Sequence, residues 1–316
     1  MNEQLLKSKF LGALVGTGVG DALGAPFEGW RKVEFEEIEE AARVLGTLTY
    51  TDDTHMMIGV AESLVRSRGF DGEDMAWTFV RNYELEPYRG YGPAPPYIFR
   101  LVRSGVAWDQ AAERVYQGGS YGNGSAMRIA PVGVFYHDNP GLLREVAYKS
   151  SHITHAHSLG KEGAALQACA VSLATNLESP LTLDQDDFLA KLTSYVEEEV
   201  YKQKLASMKR LLTSSDRSQV VFEMGNGIEA FNSVPTAIYS FLAEPGSFVR
   251  AVQLAISMGG DTDTIGAMTG AISGACLGIE SVPASWRDKL ENRLYIEELA
   301  NELFLVHMDM RRRTQS

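Results

Sequence analysis

Residues 259–278 read GGDTDTIGAMTGAISGACLG, and two patterns overlap in them. From Gly266 onward glycine returns at 270, 274 and 278, every fourth position, which lays a smooth stripe along one face of a helix. At the mouth of that helix stand Asp261, Asp263 and Thr264. One Asp or Thr oxygen suffices to cap a helix start. Three such side chains offer more oxygen than capping uses, and a hard cation takes the surplus.

The stripe has a counterpart at Gly12, Gly16, Gly20 and Gly24. Two helices with such faces can bring their backbones close. Both stretches are short and interrupted by polar residues, so they are expected at the centre of a soluble bundle and not in a membrane. Helical periodicity continues after Thr54, across Gly160–Leu173, across Leu192–Leu212 and across Glu291–Val306, while β-alternation with hairpin turns is scarce. Loops are expected at Glu86–Pro96, Gln117–Ser125, Glu178–Asp187 and Gly225–Pro235, where Gly, Pro, Asn and Ser concentrate. The expected fold is all-α, a compact orthogonal helical bundle in a single domain over 1–316 with a core of about 10–306.

A second acidic cluster, Thr51, Asp52, Asp53 and Thr54, again opens an apolar helix. Either cluster alone reads as a cap. If the two helix starts converge, four carboxylates and several threonine oxygens surround one point, and only cations make that tolerable. All-oxygen ligation favours Mg, Ca or Mn over Zn, and four carboxylates suit two ions. Glu28 stands in a loop after the first glycine stripe, and taken alone would be a solvated charge. Residues 118–128, GGSYGNGSAMR, have the glycines of a loop that approaches a ligand with bare backbone and then opens a helix. His152, His155 and His157 lack the Cys or carboxylate spacing of a zinc site, so a histidine donating to phosphate is the simpler reading. The acidic run Asp184–Asp187 precedes an amphipathic helix and serves its dipole.

With 316 residues and a formal net charge of -12, the chain lacks the basic stripe of a DNA binder. Cys169 and Cys276 sit in apolar runs, as free thiols in a reducing compartment do. The first 25 residues imitate a secretory leader, but the apolar stretch is glycine-rich and Asp21 interrupts it, so cleavage is not expected. A cytoplasmic monomer is the expectation, with a nuclear location the alternative in a eukaryote.

In order along the chain, GDALGAPFE, YTDDT, RGYG, GSYGNGSAMR, THAHSLG, GNGIEAFNSVPTAIY and GGDTDT resemble the ADP-ribosylglycohydrolase family, most of all its branch that removes ADP-ribose from serine and degrades poly(ADP-ribose). The resemblance implies an all-α fold holding two Mg2+ or Mn2+ ions at helix N-termini. It matches Thr51, Asp52, Asp53, Asp261, Asp263 and Thr264 to the metal ligands, and Glu28 to the catalytic glutamate at the scissile bond. It matches Gly119, Ser120, Tyr121, Gly122 and Asn123 to the loop holding pyrophosphate and adenosine, and His155 to the phosphate-contacting histidine. Tyr116 is the candidate for stacking on adenine, one position displaced. Ser125, Pro131 and His55 depart from the family pattern. The implied partners are ADP-ribose, ADP-ribosylated proteins and poly(ADP-ribose) chain ends. Release from arginine, action on O-acetyl-ADP-ribose, cleavage of the pyrophosphate by a two-metal phosphohydrolase, and a non-catalytic reader or crystallin-like scaffold are the competing readings.

Overall fold

The two glycine stripes meet face to face. The structure, a computed structural model, describes residues 1–214 and 216–315. In it helix Glu3–Gly24 runs antiparallel to helix Thr262–Leu277. A Cβ at Gly270 would lie 2.1 Å from the Gly16 carbonyl oxygen, one at Gly20 would lie 2.1 Å from Gly266 O, and one at Gly274 would lie 1.9 Å from Gly12 O. No side chain fits there, so glycine is what lets the backbones touch. The pairing also fixes the ends. Thr262 Oγ1 donates to Gly24 O at 2.9 Å, so the finish of the first helix is capped by the start of the second.

Around this pair pack further helices, sixteen α-helices among the described residues, with isolated bridges at Leu48–Leu290 and Gly122–Glu229 and no β-strand. The expected helices appear as Asp52–Ser67, Ser158–Asn176 and Arg293–Gln315. The expected Leu192–Leu212 helix is two helices, Gln185–Tyr195 and Glu199–Leu211, because Val196 is extended and the Glu197 amide is held by buried Glu162 at 2.5 Å. Three expected loops contain helix starts, those of Ala94–Arg103, Gln185–Tyr195 and Ala230–Ala243, the last carrying Pro235 inside it. Asp184 caps the Gln185–Tyr195 helix through the Asp186 and Asp187 amides, as its position implied.

Helix Glu3–Gly24 with its following turn is long and apolar enough to cross a bilayer, which a count of uninterrupted apolar residues does not anticipate. Most of that stretch is buried inside the fold. Lys9, fully buried, donates to the carbonyls of Ala174, Thr175 and Leu177 and so closes the end of helix Ser158–Asn176; burial pushes its ammonium down to about 8. Cys169 and Cys276 are buried free thiols.

Candidate active site

The stripe pairing sets the start of helix Thr262–Leu277 beside the loop that leaves helix Glu3–Gly24. Gly29 N donates to Gly260 O at 2.8 Å and Gly260 N to Trp30 O at 2.7 Å, lacing the two segments together. Gly260 has φ +74° and a Cβ there would meet Asn226 O at 2.1 Å, so glycine is required. The result is that Glu28, Asp261 and Asp263 each offer an oxygen within 4.8 Å of one another.

The second helix start is held by Asp21. Its carboxylate accepts the amide and hydroxyl of Thr51, at 3.1 and 2.9 Å, and those of Thr54, at 3.0 and 2.6 Å. Thr51 is the N-cap of helix Asp52–Ser67, its Oγ1 accepting from Asp53 N at 3.3 Å. Because the Thr51 hydroxyl gives its proton to Asp21, oxygen lone pairs remain on the side facing the cavity.

The electrostatics of this ring are those of carboxylates short of positive charge. Burial, with the Asp21 charge second, pushes Asp52 up to about 7. Burial and then Asp261 push Asp263 up to about 9. Asp53 is raised well above its ordinary value by burial and Asp21, and Glu28 by burial and Asp261. Asp53 Oδ1 is buried and has no hydrogen-bond partner. An orphaned carboxylate oxygen amid four other acids fits a hard divalent cation, and the all-oxygen donor set fits Mg, Ca or Mn.

The ring forms one wall of a cavity of about 310 Å³. Glu28, Thr51, Asp52, Asp53, Asp261, Asp263 and Thr264 line it, opposite Tyr116, Ser120, Gly122, Asn123 and His155. Gly119 and Tyr121 are not among the lining residues. Gly119, at φ +80°, backs onto His157, and the Tyr121 ring stands edge-on to His157 at 5.5 Å. Asn123 Nδ2 donates to Asp261 Oδ2 at 2.5 Å and Ser233 Oγ at 3.0 Å, so this loop residue braces the acidic ring. The loop does not open directly into a helix: residues 123–128 form turns, and the next helix, Ala130–Phe135, is only six residues long. Of the departures, buried Ser125 bonds Ser151 Oγ at 2.8 Å, and His55 Nδ1 lies 2.9 Å from the Tyr91 hydroxyl.

His155 is oriented from behind. Arg128, fully buried, donates to Thr154 Oγ1 at 2.9 Å, which leaves the Thr154 proton for His155 Nδ1 at 2.8 Å. Nδ1 is then the acceptor and Nε2 carries the hydrogen. Burial and then the Arg128 charge push His155 down to about 3, so the ring is neutral. Sequence reading did not assign Asp21, Arg128 or Thr154. Asp21 did carry a signal, an acid interrupting the glycine-rich apolar stretch; Arg128 and Thr154 lie within the quoted motifs GSYGNGSAMR and THAHSLG, but nothing in their spacing pointed to His155.

An acid-lined cavity at two converging helix starts, in an all-helical frame, has the donor set of an enzyme site suited to a hard cation beside a small polar ligand. The ADP-ribosylglycohydrolase family model matches residues 2–313, and the chain belongs to that family. It is 38% identical to ADP-ribosylhydrolase ARH3 of Gallus gallus, over 94% of this chain and 92% of that one, and 37% identical to ADP-ribosylhydrolase ARH3 of Homo sapiens, over 95% and 93%. A solved structure described as an ADP-ribosylglycohydrolase-related protein complex superposes with a TM-score of 0.76 at 28% identity, covering 96% of this chain and 99% of that one. The chain is therefore a glycohydrolase with ADP-ribosylhydrolase function.

Proposed function

We propose that this enzyme hydrolyses the bond between the anomeric carbon of ADP-ribose and a serine side chain, and trims poly(ADP-ribose) from its ends. In this reading Thr51, Asp52, Asp53, Asp261, Asp263 and Thr264 hold two Mg2+, or Mn2+, ions. The observation that carries it is the orphaned Asp53 Oδ1 inside a ring of acids that burial, and then the charge of neighbouring carboxylates, holds above their ordinary pKa. When bound, such ions supply Lewis-acid polarisation of ribose hydroxyls and water. Glu28, at the cavity edge beside Asp261 and Asp263, exchanges a proton at the scissile bond. Carboxylates around the anomeric carbon offset the positive charge that develops there. Ser120, Gly122 and the Nε2 hydrogen of His155 face the pyrophosphate, and Tyr116 covers the adenine. The net charge of -12 favours terminal units over tracking along a polyanion.

The test is release of free ADP-ribose from serine-linked and arginine-linked peptides, in parallel with Mg2+ and with chelator. Metal-dependent release from the serine peptide alone supports the reading. Release from arginine alone overturns the linkage, and chelator-resistant release overturns the metal role.

A further inference from the structure

A second group of potential ligands forms where helix Ala130–Phe135 ends against helix Arg293–Gln315. His137 and His307 lie with ring centroids 4.8 Å apart, both 5% exposed or less. His137 Nδ1 is 2.7 Å from Val134 O, and His307 Nδ1 is 2.8 Å from Phe135 O. A carbonyl only accepts, so each Nδ1 carries the hydrogen and each Nε2 presents a lone pair. Together with a carboxylate oxygen of Asp138, the ligand atoms of this trio lie within 4.8 Å of one another. His307 Nε2 is buried without a hydrogen-bond partner. Ser172 Oγ and Asn176 Nδ2 both donate to His137 O, at 3.2 and 2.8 Å, which fixes the backbone under the first ring.

We propose that His137, His307 and Asp138 form a second metal site, distinct from the acidic ring, that binds a divalent transition-metal ion of the Zn2+ class. Imidazole selects such ions, whereas the oxygen ring does not. Imidazoles that donate Nδ1–H to backbone carbonyls are oriented and made more basic for ligation at Nε2. Tetrahedral ligation with bonds of ~2.0 Å asks for donors about 3.3 Å apart. His307 Nε2 and Asp138 Oδ2 are 4.0 Å apart, and Asp138 is exposed enough to turn inward. Arg311 Nε, 3.9 Å from Asp138 Oδ2, competes for that carboxylate and is itself exposed. A cavity of about 450 Å³ bordered by Asp138, His307 and Arg311 gives an ion its route and a water the remaining position. The bound ion would clamp the last helix to the turn at 134–138.

The test uses the full-length protein, freed of metal and then held in excess Mg2+ to fill the acidic ring. Zn2+ retained after dialysis is measured per chain, and Co2+ is used to read tetrahedral coordination from the intensity of its visible d–d bands. The wild type is expected to retain one Zn2+ and gain thermal stability. His307→Gln should lose the ion, and Asp138→Asn, a surface change that leaves the fold intact, should bind it about tenfold or more weakly, with Mg2+-dependent ADP-ribose release unchanged. The proposal falls if the wild type retains no Zn2+ in excess Mg2+. It falls equally if Asp138→Asn and His307→Gln hold Zn2+ as tightly as the wild type, or if the Co2+ complex shows only the weak bands of an octahedral ion and these are unchanged in His307→Gln.

Discussion

Asp21 Oδ2 lies 2.6 Å from Thr54 Oγ1 and 3.0 Å from Thr54 N, so a carboxylate on the first helix governs the start of another helix thirty-three residues later. The same carboxylate holds Thr51. Asp21 is thus the residue through which the central helix pair positions the Thr51–Thr54 cluster.

Asp21→Asn should cost about 2–4 kcal/mol of stability, since an amide group cannot accept from two amides and two hydroxyls at once and leaves buried donors unpaired. Urea unfolding at fixed Mg2+ measures it. A change under about 0.5 kcal/mol would show that the Thr51 and Thr54 donors find other partners.

Gly270→Ala should destabilise by about 3 kcal/mol or more, because the added Cβ would lie 2.1 Å from Gly16 O, a backbone atom that moves only if the helices part. Gly46→Ala is the control. A Cβ there meets nothing within 4 Å, and its backbone needs no positive φ, so a gain of about 0.4–1 kcal/mol is expected. Equal effects at the two sites in thermal unfolding would refute the close packing.

The pH dependence of metal stabilisation follows from Asp52 and Asp263. Their folded values, about 7 and about 9, lie above an ordinary 3.8, so without metal the folded state holds protons that the unfolded chain releases. Their contribution is present in acid and is lost as pH rises through those folded values. The Mg2+-induced rise in Tm should therefore grow between pH 6 and pH 9, since ionised ligands welcome the ion. Comparing Tm with and without Mg2+ at each pH cancels groups elsewhere, Lys9 included. A Tm rise that is flat or shrinks across this range contradicts the site.

Glu28→Gln should leave ADP-ribose binding within a few-fold and lower kcat by about 10²–10⁴, as loss of a proton-transfer group does. Isothermal titration with ADP-ribose and single-turnover rates separate the two quantities. Full rate in the variant would remove Glu28 from the reaction.

Thr154→Val should raise KM more than it lowers kcat, by about tenfold, because it frees the His155 ring from the tautomer that presents Nε2–H to the cavity. Thr154→Ser keeps the hydroxyl and should restore the wild-type KM. Failure of serine to rescue would show a packing role for the threonine methyl.

Periodicity reported the central helices and the acidic clusters because both are local patterns: glycine every fourth residue, and Asp and Thr at a helix start. The seven ordered motifs added the family. The split at Val196–Glu198 was not legible, since what breaks the helical run is a carboxylate from a distant helix, Glu162, holding the Glu197 amide. Nor was the true start of helix Ala230–Ala243, because Pro235 reads as a loop signal although it stands inside the helix as its sixth residue.

The sequence by itself determined that two helices would have bare faces and that oxygen-rich clusters would stand at two helix starts, because spacing and side-chain chemistry are written along the chain. Only the tertiary structure decided that Gly12 would face Gly274 and Gly20 face Gly266. That antiparallel register carries the end of one helix to the start of the other, and so sets Glu28 against Asp261. It also decided that Asp21 would reach back to Thr51 and Thr54, and that His137 and His307, 170 residues apart in sequence, would share one buried place. Such meetings depend on long-range packing, in which each partner's position is set by helices that neither residue belongs to.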